Sequence, residues 1–319
     1  MTLPSVGSLQ NLSIPNRQSG WYHPNDMKRD QFLRKIPQLE MEMATDAYQF
    51  NRADSIPAIP FLSRAASKNL PATNVTLNSV SFTRIGEHIE LDTYDSISGR
   101  LSDNLETQAR GVKLGILRQL STQIIEGTAT PNIIGLRSLS NSTTIGANNN
   151  NANGGFMSLQ DLYKACYLNA CTDDIIGGGG PDCAILNPKA LRELLGLIDK
   201  ASDRFWTFDD ELEASVLRFL GIDWYISDAI PLNETKGTGT NLTSIYFVKL
   251  NGPTGLKLLY ARDPNIAEVQ PFGIHQYPIP VNQTENKRGV SIEAFYALYA
   301  PETACVSRLN GIDPTQFAL

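Results

Sequence analysis

Cysteine and histidine are scarce in this chain of 319 residues, which holds four of the first and three of the second. The cysteines are Cys166, Cys171, Cys183 and Cys305, and no two of them make a Cys-x-x-Cys pair. Cys166 and Cys171 stand five apart on an expected helix and so face different ways. His23, His88 and His275 are too scattered to gather into a four-ligand zinc set. The expectation is therefore reduced, mostly buried thiols in an intracellular product, with no metal and no cofactor. Positive charge is also short. The 27 lysines and arginines against 33 acidic residues leave a net charge of −6, which argues against gripping nucleic acid by neutralising phosphates. No apolar run approaches the ~20 residues that span a bilayer, so no membrane partner is expected. The opening MTLPSVGSLQNLSIPNRQSG has neither a basic stretch nor a continuous apolar one and does not read as a signal peptide.

The short signatures of enzyme chemistry are missing too. No G-x-S-x-G, H-E-x-x-H, Walker A or dinucleotide fingerprint occurs. The glycines at 177–180 are followed by Pro181, which removes a backbone donor, so they read as a loop rather than a phosphate cradle. GTGT at 237–240 reads as a turn. His88 has no nucleophile partner in the sequence and is expected at a surface or between subunits. Asp173-Asp174 and Asp209-Asp210 are placed at helix ends, where the dipole favours carboxylates. No enzyme activity is expected.

What is present suits a folded protein: 41% hydrophobic and 19% charged residues, enough for one large or two ordinary domains. Residues 1–37 carry Pro4, Pro15, Pro24 and Pro37 without periodicity and read as an extended arm, which Trp21 and Tyr22 would tie to a partner. From Leu39, with Met41 and Met43, polar and apolar residues alternate as in a half-buried strand. A second alternation runs from 74 to 84, where the slip in phase between Leu77 and Val80 predicts a bulge. Between them lies an excursion bearing Ile56, Ile59, Phe61 and Leu62, with Arg64 and Lys68. A loop of this length in a folded domain implies a function or a partner. After HIELDTYDSISGR, read as a short strand and turn, comes a long helix at 104–126, about 35 Å at ~1.5 Å per residue. Asp103 is its expected N-cap with Glu106 answering, and Gly127 its expected left-handed C-cap. Leu105, Ala109, Val112, Ile116, Leu120 and Ile124 form its apolar stripe. Arg110, Lys113, Arg118 and Gln119 are expected off that stripe, in water or against another chain.

STTIGANNNNANGGF (142–156) reads as a low-complexity loop at a boundary. Beyond it, Ser158 caps a helix through Cys171, CAIL (183–186) is a short strand, and Asn187-Pro188 opens a helix to Asp199. A further helix is expected over 209–220, ending at Gly221. IDWYIS, SIYFVKL and LKLLYA read as strands, the last two joined by a hairpin-like NGPTG turn. RGVSIEAFYALYAPETACVSRL reads as a long strand broken at Pro301. The class is α+β, with a mixed region inserted into a helix-and-strand framework.

Four stretches, in this order, carry a resemblance. NLETQARGVKLGILRQLSTQIIEGTATPNIIGL (104–136) resembles the spine helix and exit of tailed-bacteriophage major capsid proteins with the Hong Kong 97-type fold, the exit being Gly127, Thr128, Pro131, Gly135 and Leu136. CAILNPKALRELLGLID (183–199), FLGIDWYISDAIP (219–231) and GVSIEAFYALYAPETACVSRLNGI (289–312) are similar to that family's axial-domain strand and helix, its Leu-Gly strand, and its closing strand. The likeness spans about 38–312. It implies an arm at 1–37, an extended loop (about 46–78) and peripheral domain with spine helix 104–126 within 38–156, an axial domain at 157–285, and a return strand at 286–319. It further implies a coat protein whose hexamers and pentamers close an icosahedral shell around double-stranded DNA, held only by proximity, in a virion assembled in the host cytoplasm. Trp21, Ile56, Ile59, Phe61, Leu62, Arg64 and Lys68 become expected inter-subunit contacts. Portal, scaffold and decoration proteins become expected partners, the scaffold as a separate or already removed protein because no long helical segment precedes the arm. No cross-linking is predicted. The alternatives are an encapsulin-type compartment, whose helical start the proline-rich arm does not match, and an unrelated enzyme or binding module.

Overall fold

A helix of 26 residues, α2 (Leu101–Glu126), runs through the molecule and organises what packs around it. The structure is a computed structural model that describes residues 30–42, 47–53, 75–92, 101–128, 133–169, 180–200, 207–209, 216–252, 254–262, 271–282 and 287–315. α2 starts at Leu101, so Asp103 lies inside its first turn rather than capping it. Ala109, Ile116, Leu117, Leu120, Ile124 and Ile125 are buried on one face, and Val112 packs against the same core. Leu105 lies in the helix with its side chain outside the described residues. Lys113 departs from expectation. Steps of four, three and four from Ala109 through Lys113 and Ile116 to Leu120 put it on the stripe itself. It is only 4% exposed. Its long stem lies in the core while Nζ donates to Gln276 Oε1 at 3.2 Å. Arg110, Arg118 and Gln119 are exposed.

The helix exit is a glycine-on-glycine elbow. Gly127 donates its N–H to the Gln123 carbonyl, and Gly135 donates to the Gly127 carbonyl, each at 2.9 Å. Neither adopts the left-handed conformation expected of a C-cap glycine at 127. The reason for glycine is room: a Cβ on Gly127 would sit 1.9 Å from the Ile133 carbonyl oxygen, and one on Gly135 2.6 Å from that of Gln123. The chain therefore turns back onto the last turn of α2, and the Ser138 hydroxyl donates to the Gly127 carbonyl. α3 (Leu136–Leu139) follows with Leu136 fully buried.

α2 packs on a five-stranded sheet. Its axis is β14 (Lys287–Tyr299), paired antiparallel along one edge with β4 (Thr83–Asp92). Along its other edge lie β13 (Ile274–Asn282) and β12 (Lys257–Arg262), and β1 (Gln38–Glu42) adds parallel to β12. β4 is thus longer than the short strand foreseen there. A separate two-stranded ribbon pairs β2 (Ala47–Ala53) with β3 (Val75–Ser81) in unbroken register. The predicted bulge between Leu77 and Val80 is therefore absent, and the discontinuity comes instead at Phe82, between β3 and β4.

An eight-stranded sheet forms the second layer. Its order is β5 (Thr144–Gly146), β15 (Val306–Ile312), β11 (Gly239–Val248), β6 (Cys183–Leu186), β9 (Ile222–Ile226), β8 (Val216–Phe219), β7 (Thr207–Asp209), with β10 (Glu234–Lys236) paired to β11. Cys183 and Ile185 face the core shared with α2, whereas Ala184 and Leu186 face a second core under α4 (Leu159–Leu168) and α5 (Pro188–Lys200). Burial on both faces is why CAIL is an uninterrupted apolar run. The caps at Ser158 and Asn187 are made, through Asp161 N–H at 3.2 Å and Lys189 N–H at 3.0 Å. α4 stops at Leu168, short of Cys171, which lies outside the described residues.

Three further expectations are corrected. Of the helix foreseen at 209–220, Asp209 and residues 216–219 are strand instead: β7 and β8 pair antiparallel, and Leu220 and Gly221 (φ 59 and 77) turn the chain into β9, while 210–215 lie outside the described residues. The helix-forming residues of that segment are overridden by the burial of Val216, Leu217 and Phe219 in the sheet. NGPTG is not a hairpin within one ladder, because β11 lies in the eight-stranded sheet and β12 in the five-stranded one. The polar stretch at 142–156 is no plain loop. It contains β5 and a left-handed turn at Asn148, Asn149 and Asn150, a conformation asparagine tolerates best after glycine. That turn is held where Asn149 N–H donates to the Asp161 carboxylate and Asn148 N–H to the Phe156 carbonyl. β12 and β13 sit with the framework sheet and β15 with the other, since neighbours in a sheet are chosen by register rather than chain order.

Candidate assembly surfaces

Of the expected arm at 1–37, residues 30–36 pack into the fold, and 1–29 lie outside the described residues. α1 (Gln31–Lys35) buries Phe32 and Leu33, with Ile36 just beyond, to 2% exposure each. Gln31 Oε1 accepts from Ile226 N–H at 3.2 Å, and Asp30 bridges to Ser227, so this segment is stitched to β9. Asp30 caps α1 through the Leu33 N–H. Burial lifts its carboxyl to about 7, with the Leu33 and Ser227 hydrogen bonds opposing and Asp228 adding to the rise.

The β2–β3 ribbon is the second surface. Its root is aromatic: the Tyr48 and Phe50 rings meet Tyr299 edge-on at 5.5 and 4.8 Å. Further out Leu77 is 66% exposed. Among the described residues no third strand pairs with it, and a two-stranded ribbon by itself is marginal in water. The segment it carries, with Ile56, Ile59, Phe61, Leu62, Arg64 and Lys68, lies outside the described residues, as does Trp21.

A third surface was not singled out in the sequence. Tyr163 and Tyr167 are 46% and 81% exposed on α4, one turn apart, opposite the buried Leu162 and Ala165. The i, i+4 tyrosine spacing was the available signal. The outer face of α2 is also unusual. Gly111 and Gly115 lie there, and a Cβ at either would meet nothing within 4 Å.

No chemistry assembles around the other candidates. His88 is exposed on β4, and His275 is buried with Nε2 3.0 Å from the Ala261 carbonyl. Of GTGT, Gly237 (φ 57) and Thr238 form the turn between β10 and β11, and Gly239 and Thr240 begin β11. Asp173, Asp174, Asp210 and the glycines at 177–179 lie outside the described residues. Asp209 ends β7 rather than a helix. Among the described residues no group of three or more His, Cys, Asp or Glu could hold a metal ion. Cys166 and Cys183 are free thiols; burial pushes Cys166 up to about 12 and Cys183 well above its ordinary value, away from the reactive thiolate. Glu193 is buried and accepts from the Met157 N–H at 3.0 Å. Burial lifts it to about 7, Met157 opposing and Asp313 adding.

The sequence matches no protein-family model, and no curated protein is similar to it in sequence. The fold has clear counterparts. The holo-SrpI encapsulin complex from Synechococcus elongatus PCC 7942 superposes with a TM-score of 0.65 at 14% identity, over 100% of this chain and 99% of that one. A capsid chain of a native GTA particle gives 0.55 at 11% identity, over 88% and 89%. A chain of Mycobacterium phage Adephagia gives 0.57 at 12%, over 87% and 88%. The chain has the α+β Hong Kong 97-type fold.

Proposed function

We propose that the protein is the major coat protein of a tailed-phage-type capsid, a structural subunit with no catalytic role. The observation that carries this reading is the β2–β3 ribbon, a two-stranded projection lacking a core of its own, on a fold shared along nearly its whole length with shell-forming chains. Copies of the chain assemble with one another as hexamers and pentamers, the segment between the ribbon's strands lying over a neighbour. Ile56, Ile59, Phe61 and Leu62 anchor it, each contributing roughly 1.5–3 kcal/mol when buried. Arg64 and Lys68 reach acidic groups next door, and Trp21 ties the arm. The shell encloses double-stranded DNA in a virion built in the host cytoplasm, with portal, scaffold and decoration proteins as further partners. A net charge of −6 suits an inner face that lies beside DNA without binding it tightly.

The test replaces residues 52–73 by a Gly-Ser turn. Closure entropy changes by only ~0.6 kcal/mol per doubling of loop length, so circular dichroism should show a folded subunit while electron microscopy shows no shells. Unfolding, or normal shells, would remove the ribbon's role.

The full-length superposition on an encapsulin favours a second reading, a cellular compartment shell. Portal and terminase genes beside the coding sequence, and DNA in particles from the native source, support the capsid; their joint absence supports the compartment.

A further inference from the structure

Lys236 is half-buried, and its side chain takes up the room at two other positions. Its Nζ lies 1.8 Å from where a Cβ on Gly146 would be, and its Cδ 2.8 Å from where one on Gly311 would be. Both positions must be bare for the lysine to enter, and Gly311 holds φ 75 there. Yet the ammonium is buried and has no hydrogen-bond partner among the described residues. The acid closest at hand is already taken. Glu234 bridges Arg308 at 2.8 Å and accepts from the Ser244 hydroxyl, while Arg308 Nε donates to that same hydroxyl at 3.0 Å. Beside this closed triad is a cavity of about 80 Å³ bordered by Lys236, Arg308, Arg137, Glu234 and Asn310. Its wall holds three cationic side chains against one carboxylate. Among the described residues Arg137 pairs with Glu126, at 3.5 Å and with both side chains partly exposed.

A buried cation without a counter-charge is costly, and folded proteins pair it or bind something that does. From this geometry we infer that the cavity is a binding site for a small inorganic oxyanion of the phosphate class, with Lys236 and Arg137 as its donors. The volume holds roughly five to eight waters, at about 10–15 Å³ each, or one tetrahedral oxyanion. The site joins β10, β15, the β5 end and the elbow after α2, so its occupant would tie the long helix's exit to the eight-stranded sheet. The inference stands apart from the capsid reading, since it concerns one subunit.

The experiment is isothermal titration of the full chain with inorganic phosphate against a chloride background of equal ionic strength, with melting followed in parallel. Wild type should bind phosphate and melt higher in it than in chloride. Lys236→Met should lose the binding while melting in chloride no lower than wild type. Arg137→Gln, on an exposed side chain, should weaken phosphate about tenfold or more, the worth of a charged hydrogen bond. Absence of a phosphate-specific shift in wild type, or phosphate binding left unchanged by both substitutions, overturns the site and leaves the cavity to water.

Discussion

At the scale of single residues, the strongest constraint is the buried face of α2. Ile116 is 3% exposed in the middle of it. Ile116→Asp would bury a carboxylate with no partner, at a cost of several kcal/mol out of the ~5–15 that a typical domain has. Circular dichroism should report an unfolded or aggregated chain; a soluble variant with wild-type melting would show that this face is not packed. Asp30 and Glu193 give a second prediction. Both carboxyls are lifted to about 7, well above the unfolded range near 4. Between about pH 4 and 7 the folded state therefore holds protons that the unfolded state has lost. Their contribution to stability is complete below about pH 4, falls as pH rises through 7, and stays lost above. Asp30→Asn keeps the capping of α1 and should flatten that decline, gaining up to roughly 4 kcal/mol at pH 8 relative to pH 4 when compared with wild type, at ~1.36 kcal/mol for each of about three pH units. Chemical denaturation at the two pH values reads the difference, and equal slopes for both proteins would dismiss it.

At the scale of elements, the ribbon and the elbow behave oppositely. The elbow after α2 is over-determined: two glycines, three backbone or hydroxyl hydrogen bonds to neighbouring carbonyls, and a buried Leu136 close it within one subunit. The ribbon is under-determined, held at its root by Tyr48 and Phe50 on Tyr299 and exposing Leu77 beyond. Leu77→Ser should leave the dissociated subunit's stability within about 0.5 kcal/mol, as for other surface changes. In an assembling population the same change should lower the yield of large particles by size-exclusion chromatography. A subunit destabilised by more than that would place Leu77 in its own core instead.

At the scale of the whole molecule, two layers of sheet share a core through α2 while the ribbon and the tyrosines of α4 remain uncovered. Exposed apolar and aromatic surface at several separate places suits a subunit with several neighbours. Light scattering of the purified protein should report rings or shells many times the 35.1 kDa chain. A stable monomer at high concentration would leave these surfaces without a purpose in assembly.

The sequence by itself determined what local rules can decide. The stripe from Ala109 to Ile124, the caps at Ser158 and Asn187, the doubly buried CAIL strand and the break at Pro301 all follow from spacing, hydrogen-bonding side chains and backbone restriction. Those interactions lie within a few residues of one another. Tertiary structure alone decided the rest. Val216 to Phe219 became a strand because β9 and β7 were there to pair with it, and Lys113 went inward because Gln276 lay across from it. Gly127 needed no left-handed turn, only space for Ile133 returning six residues later. β12 joined the sheet of β14 and β15 that of β11 because a strand's hydrogen bonds are satisfied by whichever edge is adjacent in space. Lys236, with bare glycines at 146 and 311 making way for it, belongs to the same class: three positions far apart in the chain that acquire meaning only where the fold stacks them together.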